Sequence, residues 1–184
     1  EEFGAGLALA WTVFQQFEAP EYSERGVQAF YDAIHDPTFI GQLRMYGAFV
    51  NKRLVGVLAT RSEGTHIALF FVEEAHQHKG VGKRLFQLAC AGNSADKLTA
   101  HSSPYAVEIY RRLGFLETAP EQQTDGIRYT PMECRLRNPG CPCKRTKCSR
   151  HGNCAGCREH HGDPKQNPPA CERAPRRDRR KRER

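Results

Sequence analysis

The segment from Val72 to Leu85 has residue types and spacing that suit anion binding. Gly80 and Gly82 stand where an apolar run gives way to a helical pattern, and Lys79, Lys83 and Arg84 add positive charge. The first backbone N–H groups of a helix lack intrahelical partners and carry partial positive charge, so glycines that admit a ligand there favour a pyrophosphate. A strand-to-helix turn whose glycines serve packing alone is the alternative interpretation.

A second segment has the residue types of a metal site. Zinc takes four thiolate or imidazole ligands, often from a C-x2-C turn such as Cys154 to Cys157. A disulfide framework would suit a secreted chain, and a redox C-x2-C would need a surrounding β-α-β pattern that is absent. We predict one or two zinc sites, to which only one of His160 and His161 contributes. The predicted ligands are Cys141, Cys143, Cys148, His151, Cys154, Cys157, His160 and Cys171.

Charge and cysteine content divide the 184-residue chain into two parts. Residues 1–134 carry 12 basic and 16 acidic side chains, whereas residues 135–184 carry 16 basic and 5 acidic ones. Six of the eight cysteines lie in the second part, beyond a boundary at Asn138-Pro139-Gly140. A segment of about 130 residues can bury a full core, but the last fifty or so residues need another source of stability, and metal binding couples directly to folding.

The elements that must position these segments follow from the apolar pattern. Helices are predicted over residues 3–14, 24–34, 80–91 and 104–113, with Ser23 as an N-cap and Gly114 after the last helix. Strands are predicted over residues 46–50, 54–60, 65–72, 97–100 and 127–136, with a tight turn at Asn51-Lys52-Arg53. The run from His66 to Val72 is almost continuously apolar, which is typical of a strand covered on both faces. This order indicates an α/β or α+β layer.

The N-terminal region favours a cytosolic protein. The apolar stretch Phe3 to Phe14 follows Glu1 and Glu2, where a secretory signal would carry positive charge. No apolar run approaches the roughly 20 residues that span a bilayer. Because the first residue is Glu, we expect that a first strand could be missing from the sheet.

Two motifs resemble those of one enzyme family. Gln77-x-x-Gly80-x-Gly82 after an apolar strand is similar to the Q/R-x-x-G-x-G/A signature of the GNAT (Gcn5-related) N-acetyltransferases. Tyr110-x-x-x-Gly114-Phe115 resembles the later Y-x-x-x-G-F segment of that family, in the family's order and at an ordinary spacing. The resemblance covers residues 1–136 and implies a mixed, mainly antiparallel sheet flanked by helices and splayed around acetyl-CoA.

The resemblance also implies roles for individual residues. The pyrophosphate of acetyl-CoA would be held by the backbone of Gln77, His78, Lys79, Gly80, Val81, Gly82 and Lys83, and the pantetheine would pair beside Phe71 and Val72. Tyr110 matches the tyrosine that protonates the departing thiolate, which is sensible because a phenol with a pKa near 10 can act as a general acid. A helix residue that packs its ring on the sheet is the alternative for Tyr110.

The general base and the acceptor remain open at this level. His101 stands where many relatives carry Asn. The candidate bases are Glu73, Glu74, His66 and His101, and a chain of waters that relays the proton is the alternative to them. The family builds its acceptor pocket from the early helices and loops, here including residues 18–22. We therefore expect an N-acetyltransferase that acts on an unidentified primary amine by direct transfer.

The C-terminal part leaves a second hypothesis. We expect an acetyltransferase-like domain over residues 1–136, a zinc-binding module over 137–172 and a basic extension over 173–184 with eight basic and two acidic side chains. Such a run is usually solvated, but it can also bind phosphates in a salt-dependent way. The alternative function is therefore a basic zinc-binding protein that contacts nucleic acid or another protein, with a degenerate acetyltransferase-like domain.

Overall fold

The structure is a computed structural model with two compact units, Glu1–Leu136 and Arg137–Arg184, each of which is described here by itself. It describes residues 2–91, 93, 97–136, 143–145, 148, 150, 152, 154–161 and 166–170. Across these residues, no helix combines the length and the apolar character that crossing a membrane requires.

Two helices of the first unit begin after a capping side chain, and one of the two caps, Ser23, was predicted. Ser23 accepts a hydrogen bond from the Gly26 N–H at 3.3 Å, and Asp36 accepts one from the Thr38 N–H at 2.8 Å, which starts a short helix that was not predicted. The predicted helix at 104–113 is divided into a 3-10 turn at Pro104–Ala106 and a short α-helix. The helices are α1 Glu2–Phe17, α2 Glu24–His35, α3 Pro37–Gly41, α4 Val81–Ala91 and α5 Val107–Arg112.

Seven strands form one sheet in the order β1-β2-β3-β4-β7-β5, with β6 paired to β7. All neighbours are antiparallel except β3 and β4. This arrangement confirms the predicted mixed, mainly antiparallel sheet flanked by helices; the short strands β5 and β6 were not predicted. The strands are β1 Arg44–Val50, β2 Arg53–Arg61, β3 His66–Val72, β4 Lys97–Ser102, β5 Leu116–Glu117, β6 Gln122–Thr124 and β7 Ile127–Arg135.

Strand β3 is covered on both faces, as its apolar run predicts. Leu69 and Phe71 pack in a core cluster with side chains of α1 and α2, including Phe14 and Ile34. Phe70 and Val72 pack against the opposite cluster, which contains side chains of α4 and α5. A side chain that follows β3 can therefore reach either face of the sheet.

The parallel pair β3–β4 opens along its length. The described register joins only His66 to Thr99 and Ile67 to Ala100, although β3 continues to Val72 and β4 to Ser102. Beyond Ile67, β3 is hydrogen-bonded on its β2 side through the Phe71–Val57 and Val72–Gly56 pairs. The other edge of β3 therefore faces a gap into which an extended ligand can pair.

Helix α2 and the turn between β6 and β7 approach each other closely. Gly26 lies against Gly126, and a Cβ built at Gly26 would collide with the Gly126 carbonyl oxygen, while one built at Gly126 would lie 2.6 Å from the Gly26 nitrogen. Gly126 also has a φ of 83°. Arg25 and Asp125 form an ion pair at 2.7 Å beside this contact. Two backbones therefore meet without side chains between them.

Candidate functional site

Two cavities flank the open edge of β3. The first, which we call the glycine cleft, has a volume of about 300 Å³ and lies between the start of α4, the end of α1 and α5. The second, the aromatic cavity, has a volume of about 460 Å³ and lies between α1, α2, β3 and β7. Each volume suits a small ligand or one part of a larger one.

The turn that opens α4 presents backbone donors. His78 and Gly80 have φ values of 57° and 84°, so the chain turns sharply before the helix, and only Gly80 takes this conformation without a steric penalty. The first helical hydrogen bond runs from the Arg84 N–H to the Gly80 carbonyl at 3.0 Å. The N–H groups between these two residues are those that a helix start offers to an anion.

Most of the predicted cofactor residues line the glycine cleft. Gln77 donates a hydrogen bond to the Val72 carbonyl at 3.0 Å, which fixes the loop after β3. Arg112, which was not predicted, adds a second cation beside Lys83. Of the predicted cofactor residues, Phe71, Val72, Gln77, His78, Gly80, Gly82 and Lys83 line the cleft, and Lys79 and Val81 do not.

The aromatic cavity is built from rings on several elements. Phe30 of α2 stacks on Phe14 at a centroid distance of 4.0 Å and meets Phe71 of β3 edge-on at 5.9 Å. Tyr129 of β7 stacks on His101 of β4 at 4.3 Å. These rings leave an apolar chamber whose charged lining side chains, among the described residues, are Glu18, Arg61 and Asp125.

The two cavities meet at five residues that line both of them. Two of the five, Glu18 and Tyr110, carry titratable groups. The other three are Phe70, Phe71 and Ala106. Glu18 and Tyr110 are therefore the titratable residues that ligands in both cavities could reach.

Glu18 lies at the end of α1 in an environment that disfavours its charge. The residue is half-buried, and burial raises the pKa of its carboxyl from 4.5 to about 7. The Ser103 hydroxyl lies close enough to the carboxyl to oppose this rise in pKa. Among the described residues, this hydroxyl has no hydrogen bond with both a suitable distance and a suitable angle. A carboxyl with a pKa near neutrality is suited to accept and release protons.

Tyr110 lies on α5 and is 6% exposed. Its ring meets Phe115 and Phe70 edge-on, at 5.0 Å and 6.0 Å. Burial raises the pKa of the phenol, and the charge of the Glu18 carboxylate raises it further. Tyr110 therefore keeps its proton at neutral pH.

A family model described as an acetyltransferase (GNAT) domain matches residues 18–136. The chain belongs to the GNAT family. The matched segment contains both the glycine turn and Tyr110. No protein of curated function matches the sequence significantly.

Solved structures share this GNAT fold at low sequence identity. A GCN5-related N-acetyltransferase from Rhodopseudomonas palustris is 22% identical with a TM-score of 0.61, covering 73% of this chain and 90% of that chain. The PaiA N-acetyltransferase of Thermoplasma acidophilum, solved in complex with coenzyme A, is 16% identical with a TM-score of 0.56, covering 73% and 92%. Tetrahymena GCN5 is 18% identical with a TM-score of 0.52, covering 71% and 86%.

The carboxylates predicted as bases lie outside both cavities of the GNAT domain. Glu73 accepts two hydrogen bonds from Arg53, at 2.7 and 3.2 Å, and lies 3.4 Å from His76. Glu74 accepts a hydrogen bond from Gln16 at 2.6 Å. Neither of them lines the glycine cleft or the aromatic cavity.

The two predicted histidines line the aromatic cavity but not the glycine cleft. His66 at the start of β3 has a hydrogen bond between its Nδ1 and the Thr99 hydroxyl at 2.9 Å, and its ring lies 5.0 Å from that of His101. Burial and then Arg61 lower the pKa of both histidines, that of His66 to about 4. A histidine with so low a pKa holds a proton weakly, which disfavours His66 as the base.

The predicted metal ligands fall in the second unit, outside the GNAT domain. Cys154, Cys157, His160 and His161 belong to a short helix, α6 Cys154–His161, whereas Cys143 and Cys148 lie outside helices and strands. In the portion of the chain that the structure describes, no group of three or more His, Cys, Asp or Glu residues is placed to hold a metal ion. Cys141, His151 and Cys171 lie outside the described residues.

Sequence reasoning placed Glu18 in the acceptor pocket but not among the candidate bases, and it missed Arg61 altogether. Nothing in the neighbours of Glu18 along the chain predicts that Ser103 and Tyr110 come to lie close to it. Arg61 ends β2 and lines the aromatic cavity because β2 pairs with the start of β3. Only the folded arrangement of these elements identifies the two residues.

Proposed function

We propose that the chain transfers an acetyl group from acetyl-CoA to a primary amine, with acetyl-CoA in the glycine cleft and the amine in the aromatic cavity. The observation that carries this proposal is the junction of the two cavities between Glu18 and Tyr110. Membership of the GNAT family supports the reaction class.

The glycine cleft supplies what acetyl-CoA requires. Backbone N–H groups at the start of α4, with Lys83 and Arg112 nearby, would hold the pyrophosphate. The unpaired edge of β3 at Phe71 and Val72 would pair with the amides of the pantetheine, as an added strand does. The PaiA structure, which shares this fold, was solved with coenzyme A bound.

The chemistry of the transfer follows from the two groups at the junction. The Glu18 carboxylate accepts a proton from the acceptor ammonium, and the freed nitrogen attacks the carbonyl carbon of the thioester. A C–N bond forms and the C–S bond breaks, and the Tyr110 hydroxyl donates its proton to the departing sulfur. The amine's second proton leaves with the collapse of the intermediate and restores the phenol through solvent or Glu18. Both residues act as general acid–base catalysts.

Acetyl-CoA binding and turnover test the proposal directly. Isothermal titration calorimetry of the full chain with acetyl-CoA should show one binding site. Release of CoA thiol should then depend on an added amine, in a panel of alkylamines, polyamines, amino acids, peptide lysines and aminoglycosides. An absence of acetyl-CoA binding would contradict the proposal.

For the second unit we propose a zinc-binding module over residues 137–172, followed by a basic extension over 173–184. The spacing of the cysteines and histidines supports zinc, and the shortage of large apolar residues makes metal binding a source of stability. Inductively coupled plasma analysis of the full chain, purified without added metal, should find zinc. A metal-free protein would contradict the module.

The charge of the basic extension favours one alternative function, contact with nucleic acid. In that case the full chain should bind RNA or DNA with affinity that falls steeply as salt rises. The same preparation would bind acetyl-CoA weakly if the GNAT domain were degenerate. Tight acetyl-CoA binding with amine-dependent turnover therefore favours the enzyme over this alternative.

A further inference from the structure

Arg61 is a half-buried cation that lines the aromatic cavity, at the end of β2. Its guanidinium lies over the Phe39 ring, 5.9 Å from the ring centroid. Among the described residues, no carboxylate lies within ion-pair distance of this guanidinium. Asp125, the other carboxylate that lines the cavity besides Glu18, is instead paired with Arg25 at 2.7 Å.

Arg61 and Glu18 mark opposite ends of the aromatic cavity. Arg61 pairs in register with His66 at the start of β3, whereas Glu18 lies by Phe70 and Phe71 at the other end of the strand. Phe70 lies four positions after His66, and at about 3.3 Å per residue this corresponds to roughly 13 Å along the strand. Because the Arg61 side chain is long, the distance that a ligand must bridge between the Arg61 guanidinium and the Glu18 carboxyl is shorter than this backbone distance.

Apart from Asp125, which is paired with Arg25, the groups that line the cavity between Glu18 and Arg61 are apolar or uncharged. The cavity wall is formed by Phe30, Ile34 and Tyr129. His66 and His101 line the same end as Arg61, and burial together with the charge of Arg61 keeps both of them neutral near pH 7. An ammonium is therefore attracted to one end of the cavity, an anion to the other, and an apolar chain to the space between them.

We propose that the acceptor is a primary amine that carries an anionic group, a carboxylate or a phosphate, at the far end of an apolar spacer, and that Arg61 binds this group. The inference rests on the proposed acetyl transfer. It excludes the α-amine of a free amino acid, in which too few bonds separate the amine from the carboxylate. Arg61 acts here as a specificity residue and takes no part in the chemical step.

The test compares matched acceptors that differ only at the end remote from the amine. We expect 6-aminohexanoate to be acetylated with a kcat/KM about tenfold or more above that of hexylamine, because a charge-assisted hydrogen bond to Arg61 is gained. 6-Aminohexyl phosphate distinguishes a phosphate site from a carboxylate site, and glycine should be a poor acceptor. Equal values for 6-aminohexanoate and hexylamine would overturn the proposal.

Variants of Arg61 separate recognition from structural damage. Arg61→Ala should abolish the preference by lowering kcat/KM for 6-aminohexanoate far more than that for hexylamine, and the Kd of acetyl-CoA should stay the same because Arg61 does not line the glycine cleft. Arg61→Lys should keep part of the preference. Arg61→Glu should reverse it, so that 1,6-diaminohexane becomes the better acceptor. Arg44→Ala is the matched control, because Arg44 also lies over an aromatic ring, that of Tyr46 at 5.5 Å, but lines neither cavity.

The outcomes also distinguish this proposal from acetyl transfer itself. If Arg61→Ala acetylates hexylamine at an undiminished rate and retains the preference for 6-aminohexanoate, the assignment of Arg61 is wrong and the proposed acetyl transfer stands. Absence of turnover with every amine sinks acetyl transfer. In that case, titration of the CoA-saturated protein with 6-aminohexanoate and hexylamine decides on Arg61, because equal or absent binding of the two overturns its role.

Discussion

The glycine cleft and the aromatic cavity lie side by side on β3 but are built by different means. The cleft depends on the backbone of one turn, where Gly80 takes a positive φ and the start of α4 offers its N–H groups. The cavity depends on side chains from α1, α2, β2, β3, β4 and β7. A backbone site leaves a short local motif in the sequence, whereas a side-chain site is assembled from residues that are distant along the chain.

Because of this difference, the two cavities differ in how freely their linings can change. The lining of the aromatic cavity is set by the identity of side chains such as Phe30 and Tyr129. The glycine turn has no such freedom, because its conformation is itself the binding surface. One cofactor can therefore be combined with many acceptors on the same scaffold.

The largest expected effect comes from Tyr110, which serves both cavities. Tyr110→Phe removes the proton donor and should lower kcat by about 100-fold or more, within the usual range for a general acid. Because the ring and its packing remain, the Kd of acetyl-CoA measured by calorimetry should change little. Tyr31→Phe is the control, since Tyr31 is exposed and lines neither cavity. An undiminished kcat would remove Tyr110 as the acid.

Glu18 is the next most sensitive position and is expected to set the pH dependence. Its carboxyl must be ionised to accept a proton and its pKa is about 7, so kcat should fall as pH decreases through 7. Ser103 and the phenols of Tyr22 and Tyr110 are the polar groups that interact with this carboxyl. Glu18→Gln should lower kcat by roughly 10- to 100-fold and remove this dependence between pH 5.5 and 8.5.

Glu74→Gln is the matched control for Glu18, because Glu74 is exposed and lines neither cavity. This variant should keep both the rate and the pH profile of the natural protein. A Glu18→Gln variant that retained the pH dependence would assign it to another group and contradict the role of Glu18.

The smallest effect is expected from Gly80, where a substitution should weaken binding in the glycine cleft and leave the aromatic cavity unaffected. Gly80→Ala places a side chain at a φ of 84°, which costs about 1–2 kcal/mol unless the turn changes its conformation. We expect the Kd of acetyl-CoA to rise about tenfold, which corresponds to about 1.4 kcal/mol, with the preference among amines unchanged. Gly4→Ala in α1 has open space around its Cβ and should leave the Kd unaltered. Equal effects of the two substitutions would show that the turn needs no glycine.

The parts of the molecule that depend on local signals could be predicted from the sequence. Ser23 caps α2, Asn51 and Lys52 form the hairpin turn with positive φ values, and Gly114 follows α5 with a φ of 96°. The apolar run of β3 predicts its cover on both faces. The short strand β5 was missed because two residues carry too little pattern to be recognised.

The candidate base could not be predicted because it depends on tertiary burial. Glu73 and Glu74 follow β3 in the sequence, but their side chains are held by Arg53 and Gln16 outside the two cavities. Glu18 has no distinctive neighbours, and its high pKa arises when distant elements bury it. A pKa shift of this kind depends on tertiary contacts, so the local spacing of residues in the sequence does not predict it.

The close contact of Gly26 with Gly126 has a consequence for the width of the aromatic cavity. Neither glycine lines the cavity, but Phe30 on the same helix as Gly26 and Ile127 next to Gly126 do. A side chain at either glycine would collide with the backbone at the other and push helix α2 away from the start of β7. The width available to an acceptor is therefore set in part by two residues that the acceptor does not touch.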